Sequence, residues 1–275
     1  MQLSIRHTTR YQYAPEAARA ALRLHLHPPQ TASQTLSGWH VTVNGIEVTP
    51  LLADPLGNLV SLWTSQTPLD EIEIVAEGNV ETRDMTGVLD GLRQAAPPAV
   101  FLRQSRLTAP DDTVHALAAE IEGDSQLDRM HMLSELVHKA VDYRKGATSS
   151  KTTAAEAAAL GAGVCQDQAH VFISAARVLG VPARYVAGYM ADFGVEDAQG
   201  ESSHAWAEAW VSGLGWTGFD VTNQLCPTDA YVRLAAGLDA DEAAPVRGVF
   251  SGDPEERLET DVAISDMQAQ SQSQA

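Results

Sequence analysis

The stretch "GAGVCQDQAH", residues 161 to 170, holds one of only two cysteines in a chain of 275 residues. Two glycines lead into Cys165, and a polar triplet after it opens an apolar run that continues to Gly180 and Pro182. That pattern places the thiol in the first turn of a largely buried helix of about four turns. There it meets the positive end of the helix dipole and backbone N–H groups without intrahelical partners, a setting that favours thiolate. The glycines before it let another chain approach closely. Cys226 has no comparable setting and reads as structural.

A nucleophilic cysteine needs a base to accept its proton and a third group to hold that base in the right tautomer and orientation. His204, in "HAWAEAWV", and Asp220, in "GWTGFDVT", lie on successive short runs that read as strands and are placed to supply both. Alternation puts His204, Trp206, Glu208 and Trp210 on one strand face, and three alanines with Val211 on the other. With "SGLG" at 212–215 as a four-residue hairpin loop, residue 223 stands across from His204. Asp220 then needs a bulge or a shifted register to reach the histidine.

The elements that must position these groups divide the chain. Residues 1 to about 83 carry short alternating or β-rich runs, "LSIRHTTRYQY", "ARAALRLHLHP", "LSGWHVTVNG", "NLVSLWT" and "DEIEIVAEGNVETR", separated by Pro, Gly and Asn turns. They predict a compact all-β unit with local turns at "NG" (44–45) and "GN" (57–58). From about residue 110 the period becomes helical: Asp111 or Asp112 is the N-cap of one helix, and Met130, Leu133, Leu136, Val137 and Val141 stripe a second. Thr153 and Glu156 have capping-box spacing at a short third helix that "GAG" stops. After Pro182 come three strands, so the second half reads as α+β.

Composition narrows the partners. With 18 Lys+Arg against 36 Asp+Glu the net charge is −18, which opposes phosphate backbones and anionic lipid, so nucleic acid and membrane surfaces are not expected partners. No apolar run has the length of a signal peptide or a membrane span, and two cysteines without a CxxC pair make no disulfide framework. The chain reads as soluble and cytoplasmic with reduced thiols. "DMQAQSQSQA", residues 266–275, is too poor in apolar groups to repay ordering and is expected to be disordered.

"GVCQDQAHVFISAARVLGVPARYVAGYM", "SSHAWAEAWV" and "GWTGFDVTN" together resemble the core of the bacterial transglutaminase-like family of candidate cysteine proteases. "TTRYQY", "LRLHLHP" and "DPLGNLV" resemble that family's N-terminal β domain, and "APVRGVFSG" its closing segment before a last strand, "RLETDVAI". The resemblance implies a sandwich-like all-β domain over residues 1–83. It implies a papain-like, transglutaminase-type catalytic core over 84–265, with the cysteine helix packed on an antiparallel sheet. Carried over, the family pattern makes Cys165 the nucleophile, His204 the general base and acid, and Asp220 the orienting carboxylate. The Cys165 backbone N–H is the first oxyanion donor, with Tyr143 and Gln166 as candidates for the second.

The implied activity is acyl transfer through a thioester on peptide or glutamine-type amides, hydrolytic by preference, with a peptide or protein as substrate and no metal or organic cofactor. The alternatives are a protein-glutamine transamidase, and a catalytically silent module that binds peptide on the same fold. Other residues carry weaker cues. Asp167 and Arg184 read as a structural ion pair or hydrogen-bonding groups, and Glu208 as a cleft or strand carboxylate. His25 with His27 and His131 with His138 share faces but lack the further ligands of a metal site.

Overall fold

The computed structural model of the protein describes residues 1–191, 203–252 and 255–267. Its N-terminal part is a pair of antiparallel sheets. One has the order β15-β1-β7-β3-β4, from β1 (Gln2–Ala17), β3 (Gln34–Val43), β4 (Ile46–Glu47), β7 (Leu69–Thr82) and β15 (Glu255–Asp266). The other has the order β14-β2-β6-β5, from β2 (Arg19–His27), β5 (Leu52–Ala53), β6 (Leu59–Ser65) and β14 (Val246–Ser251). Alternate residues of β1, β2, β3 and β7, among them Leu3, Ile5, Leu22, Leu24, Val41, Ile72 and Ile74, meet in one apolar core between the sheets. Asn44 and Gly45, both at positive φ, make the tight turn from β3 to β4 that their dipeptide predicts.

The second half is built on a four-stranded sheet of order β12-β11-β10-β13, from β10 (Ala183–Met190), β11 (Ser203–Val211), β12 (Gly215–Phe219) and β13 (Tyr231–Gly237). Five α-helices among the described residues accompany it: α1 (Asp112–Ala119), α2 (Gln126–Ala140), α3 (Ala154–Leu160), α4 (Cys165–Val178) and the single turn α5 (Ala240–Ala243). A two-residue parallel pair, β8 (Asp142–Tyr143) with β9 (Ala162–Gly163), precedes α4. Asp111 caps α1, and Thr153 and Glu156 form the capping box of α3. Ala205, Ala207, Ala209 and Val211 of β11 pack with Ala169, Phe172, Ile173 and Ala176 of α4; small residues on the strand let the helix lie close. The architecture is α+β, as the sequence predicts.

Two strands join a different partner than the sequence division gives them. The segment 84–265 does not close on itself: β14 pairs with β2 and β15 with β1, register Leu3↔Asp266 to Ala14↔Glu255, so the last strands complete the N-terminal sheets. Asp266 therefore ends a strand rather than starting a tail, and 268–275 lie outside the described residues. The physical reason is the edge of each N-terminal sheet, whose row of unpaired backbone groups takes a strand from wherever the chain supplies one. No helix among the described residues is long and apolar enough to cross a membrane.

The N-terminal part also covers the free edge of β13. Gln34 donates through Nε2 to the Arg233 carbonyl and accepts from the Arg233 N–H, both at 2.8 Å. Asn58 repeats the pattern on Ala236, with both bonds at 2.8 Å. Gln34 is 2 % exposed and Asn58 0 %, so water does not substitute for either amide. Asn58→Leu keeps the branched outline of the side chain but strands an N–H and a C=O of β13. At about 1–3 kcal/mol for each unpaired buried group, it is expected to lower unfolding free energy by about 2–5 kcal/mol, read by urea denaturation. Wild-type stability would show that the edge is satisfied in another way.

Candidate active site

The turn that carries Cys165 is fixed from both sides. Gly161, in the left-handed conformation at φ 67°, ends α3, and β9 then runs beside β8 to Val164, the N-cap of α4. The Asp167 carboxylate reaches back to accept from the Val164 N–H at 2.8 Å and from the Thr148 hydroxyl at 2.6 Å. Burial raises the Asp167 pKa, against the opposing effect of those bonds. A Cβ on Gly163 would stand 2.6–2.8 Å from the Asp167 side chain, so only glycine lets this chain pass. Cys165 is thereby the first helical residue of α4, and its N–H belongs to the turn without intrahelical acceptors.

His204 comes from the other wall. It is the second residue of β11, and its ring hydrogen-bonds the Cys165 thiol. Its Nε2–H donates to Asp220 Oδ2 at 2.7 Å, which leaves Nδ1 as the nitrogen facing sulfur. Asp220 is wholly buried and heavily bonded: Oδ2 also accepts from the Tyr231 hydroxyl at 2.6 Å and Asn223 Nδ2 at 2.8 Å, and Oδ1 from the Asn223 N–H at 3.2 Å. Burial alone would raise its pKa; the His204, Tyr231 and Asn223 contacts outweigh that and lower it. For His204, burial alone would lower the pKa, but the bonds and charges of Asp220 and Cys165 lift it to about 10. The imidazole is held as imidazolium at neutral pH.

No bulge brings Asp220 to His204. The loop has three residues, 212–214, and the register runs Val211↔Gly215 to Ala207↔Phe219. Extended by one step, that register sets Asp220 across from Trp206, and His204 is the next residue on the same face. Such diagonal neighbours stand about 7–8 Å apart at Cα, within reach of a His–Asp pair. The chain then turns through an Asp220↔Leu225 bridge that pins the carboxylate.

Around the thiol lies a cleft of about 380 Å³. Cys165, Gln166 and His204 line it, facing Thr9 and Tyr11 of β1 and Leu258 of β15. The N-terminal sheet thus forms one wall of the cleft. Of the two side-chain oxyanion candidates, Gln166 is in the cleft with its amide on the Ser150 carbonyl at 3.3 Å, whereas Tyr143, half exposed on β8, is not among the lining residues.

The remaining residues singled out by type take structural positions. Arg184 pairs with Glu208, not with Asp167: its Nε donates to Glu208 Oε2 at 2.6 Å, and Arg233 Nε donates to Oε1 at 3.0 Å. Glu208 is 3 % exposed and lies outside the cleft around Cys165. Its carboxyl is lowered below its ordinary range by the two arginines in spite of burial. Trp216 stacks under the Arg184 guanidinium at 3.9 Å, and Trp206 packs on His204 and Tyr231. His25 and His27 are buried, His131 packs edge-on to Phe219, and His138 bonds the Val221 carbonyl; no metal-holding cluster occurs among the described residues. Tyr231 and Asn223, which hold Asp220, escape a reading of the sequence. Their only cue there is proximity to Asp220 in the chain.

Residues 3–81 match the family model of the bacterial transglutaminase-like N-terminal region, and 115–221 that of the transglutaminase-like superfamily core. An uncharacterised protein of Mycobacterium leprae is 26% identical over 274 residues, covering 91% of this chain and 94% of its own. An uncharacterised protein of Mycobacterium tuberculosis is 24% identical over 271 residues, with 90% and 86% covered. Among solved structures, a candidate cysteine protease from Cytophaga hutchinsonii has the same fold, with a TM-score of 0.76, 23% identity and coverage of 97% of this chain and 91% of that one. Both halves of the molecule, matched separately and in this order, place the chain in the transglutaminase-like superfamily as a member with the bacterial N-terminal region.

Proposed function

We propose that the protein is a thiol hydrolase of peptide or glutamine-type amides, with Cys165, His204 and Asp220 as its catalytic triad. The observation that carries this reading is the continuous chain from thiol to imidazole to buried carboxylate on the floor of a cleft. Cys165 sulfur attacks the amide carbonyl carbon while the carbonyl oxygen takes up negative charge. The Cys165 N–H meets that oxygen, and Gln166 is the side chain placed nearest to add a second donor. The C–N bond breaks, the leaving amine takes the proton held on His204, and a thioester remains. His204, now neutral, takes a proton from water as the water oxygen attacks the thioester. The acid leaves, and the proton returns to the sulfur–imidazole pair. Asp220 holds the ring with Nδ1 toward sulfur and offsets the imidazolium charge throughout.

Water is favoured over an amine as acceptor because a transamidase must hold a cationic second substrate. Glu208, the one carboxylate that strand alternation directs to the face of His204, is committed to two arginines. Among the described residues lining the cleft there is no Asp or Glu. A cytoplasmic setting with both thiols free belongs to the same proposal.

Four outcomes follow. Iodoacetamide near neutral pH is expected to label Cys165 much faster than Cys226, whose pKa burial raises. Cys165→Ala should abolish amide turnover without loss of fold, and equal labelling of the two thiols by mass spectrometry would count against the site. Asp220→Ala should cut kcat by about 10⁴-fold yet leave measurable activity, provided circular dichroism shows the native fold; a wild-type rate would remove Asp220 from the site. The pH dependence has a definite sign. With the folded pKa of His204 at about 10, above the ordinary 6.5, its ion pair contributes fully below pH 6.5, and that contribution is lost as pH rises through 10. The stability gap between wild type and His204→Gln in urea should therefore shrink from pH 7 to pH 10, and a constant gap would contradict a charged His204.

A further inference from the structure

Behind the catalytic sheet, on the side of Trp206 and away from Cys165, lies a second, smaller cavity of about 40 Å³. Arg233 and Glu208 line its inner part with Trp206 and Tyr231, and Arg83 and Val88 line it from the connection to the N-terminal sheets. Arg233 is 4 % exposed. Its Nε is spent on Glu208, and neither Nη1 nor Nη2 has a hydrogen-bond acceptor among the described residues. Of the other buried arginines, Arg177 has every donor placed, and Arg184 leaves only Nη2 without an acceptor. Arg177 gives its donors to the Phe101, Ala183 and Leu238 carbonyls and the Thr108 hydroxyl. Arg184 donates to Glu208 and Gln94 and lies flat over Trp216.

Charge points the same way as hydrogen bonding. Two guanidinium groups, Arg184 and Arg233, share the one carboxylate of Glu208, whose two oxygens are both taken, so the cluster carries an excess positive charge behind the sheet. A water molecule would satisfy the free N–H groups of Arg233 but leave that charge uncompensated in a region of low dielectric. Arg83 adds a further cation; it is exposed and paired with Glu81. The net charge of −18 acts on an anion from afar, but beyond about 8 Å it is screened at physiological salt. The void of about 40 Å³ has room for a small anion beside the guanidinium.

We propose that this cavity is a binding site for a small inorganic anion of the size of chloride, held by the two free Nη groups of Arg233. Its occupancy bears on the triad without touching substrate, because Trp206 stacks on His204 and Tyr231 donates to Asp220.

The test uses the full-length wild-type protein and bromide as the probe. Crystals soaked in sodium bromide should show an anomalous peak within hydrogen-bonding reach of Arg233 Nη1 and Nη2. At fixed ionic strength, replacing gluconate, a bulky and weakly coordinating organic anion, by chloride should raise Tm saturably. At ten times the dissociation constant the folded-to-unfolded ratio rises about 11-fold, a shift of about 2–3 °C for a chain of this size. Arg83→Ala, an exposed change outside the triad, should move the chloride midpoint several-fold higher with the fold intact. Bromide peaks elsewhere on the surface with none at Arg233 would overturn the site. A peak without any chloride-dependent rise in Tm would overturn it as well, as binding at soaking concentration only.

Discussion

The outer edge of β13 is the constraint on which the rest of the molecule rests. That strand closes the catalytic sheet, and its outward N–H and C=O groups at Arg233 and Ala236 are sealed from water by the N-terminal sheets. Two side-chain amides, Gln34 and Asn58, stand in for a fifth strand. They meet backbone groups three residues apart because the β10–β13 ladder slips between Ala187 and Gly188, leaving Leu234 as an extra residue that turns toward the cleft. With its edge satisfied, β13 holds Tyr231 under Asp220 and Arg233 under Glu208. The N-terminal part therefore does more than shield the core: it fixes the strand that fixes the carboxylate.

Two buried acids on the same sheet show how partners decide function. Asp220 and Glu208 are both out of water and both held below their ordinary pKa. Glu208 is neutralised by two permanent cations, which leaves it no proton to move and no ligand to bind. Asp220 is held by neutral donors, Tyr231 and Asn223, plus one group that titrates, His204. Its charge is thus expressed in the protonation of an imidazole beside a thiol. The same residue chemistry gives a structural clamp in one place and a proton reservoir in the other.

Much of this was legible in the chain, for identifiable reasons. Strands with one buried face alternate and capped helices announce their ends, so β1, β2, β3, β7 and the starts of α1 and α3 can be read directly, while β10, β11 and the start of α4 are marked by the Gly, Pro and Ser residues that bound them. β13 cannot be read, because every residue from Tyr231 to Gly237 is buried and no alternation survives. Tyr231 and Asn223 were missed along with it. Pairing partners were equally hidden: "RLETDVAI" reads as a strand, but nothing local says that it lies against residues near the N-terminus. Asp167 and Arg184 are both hydrogen-bonding groups, one of the two roles their types suggest, but with separate partners: Asp167 serves its own helix cap while Arg184 looks across the sheet.

The closure of β15 onto β1 also sets an order of events during synthesis. β1 and β2 leave the ribosome well before their outer neighbours, β15 and β14. At about 5–20 residues per second, each N-terminal sheet waits on the order of ten seconds or more with one edge open. Those edges include apolar runs such as "ALRLHLH", so the nascent chain presents an aggregation-prone template that the finished protein does not have. Such non-local pairing makes folding slow as well. A chain truncated near residue 245 would retain the cysteine, the histidine and the aspartate and still leave both N-terminal sheets unfinished and the cleft without Val246, Leu258 and Thr260 of its lining.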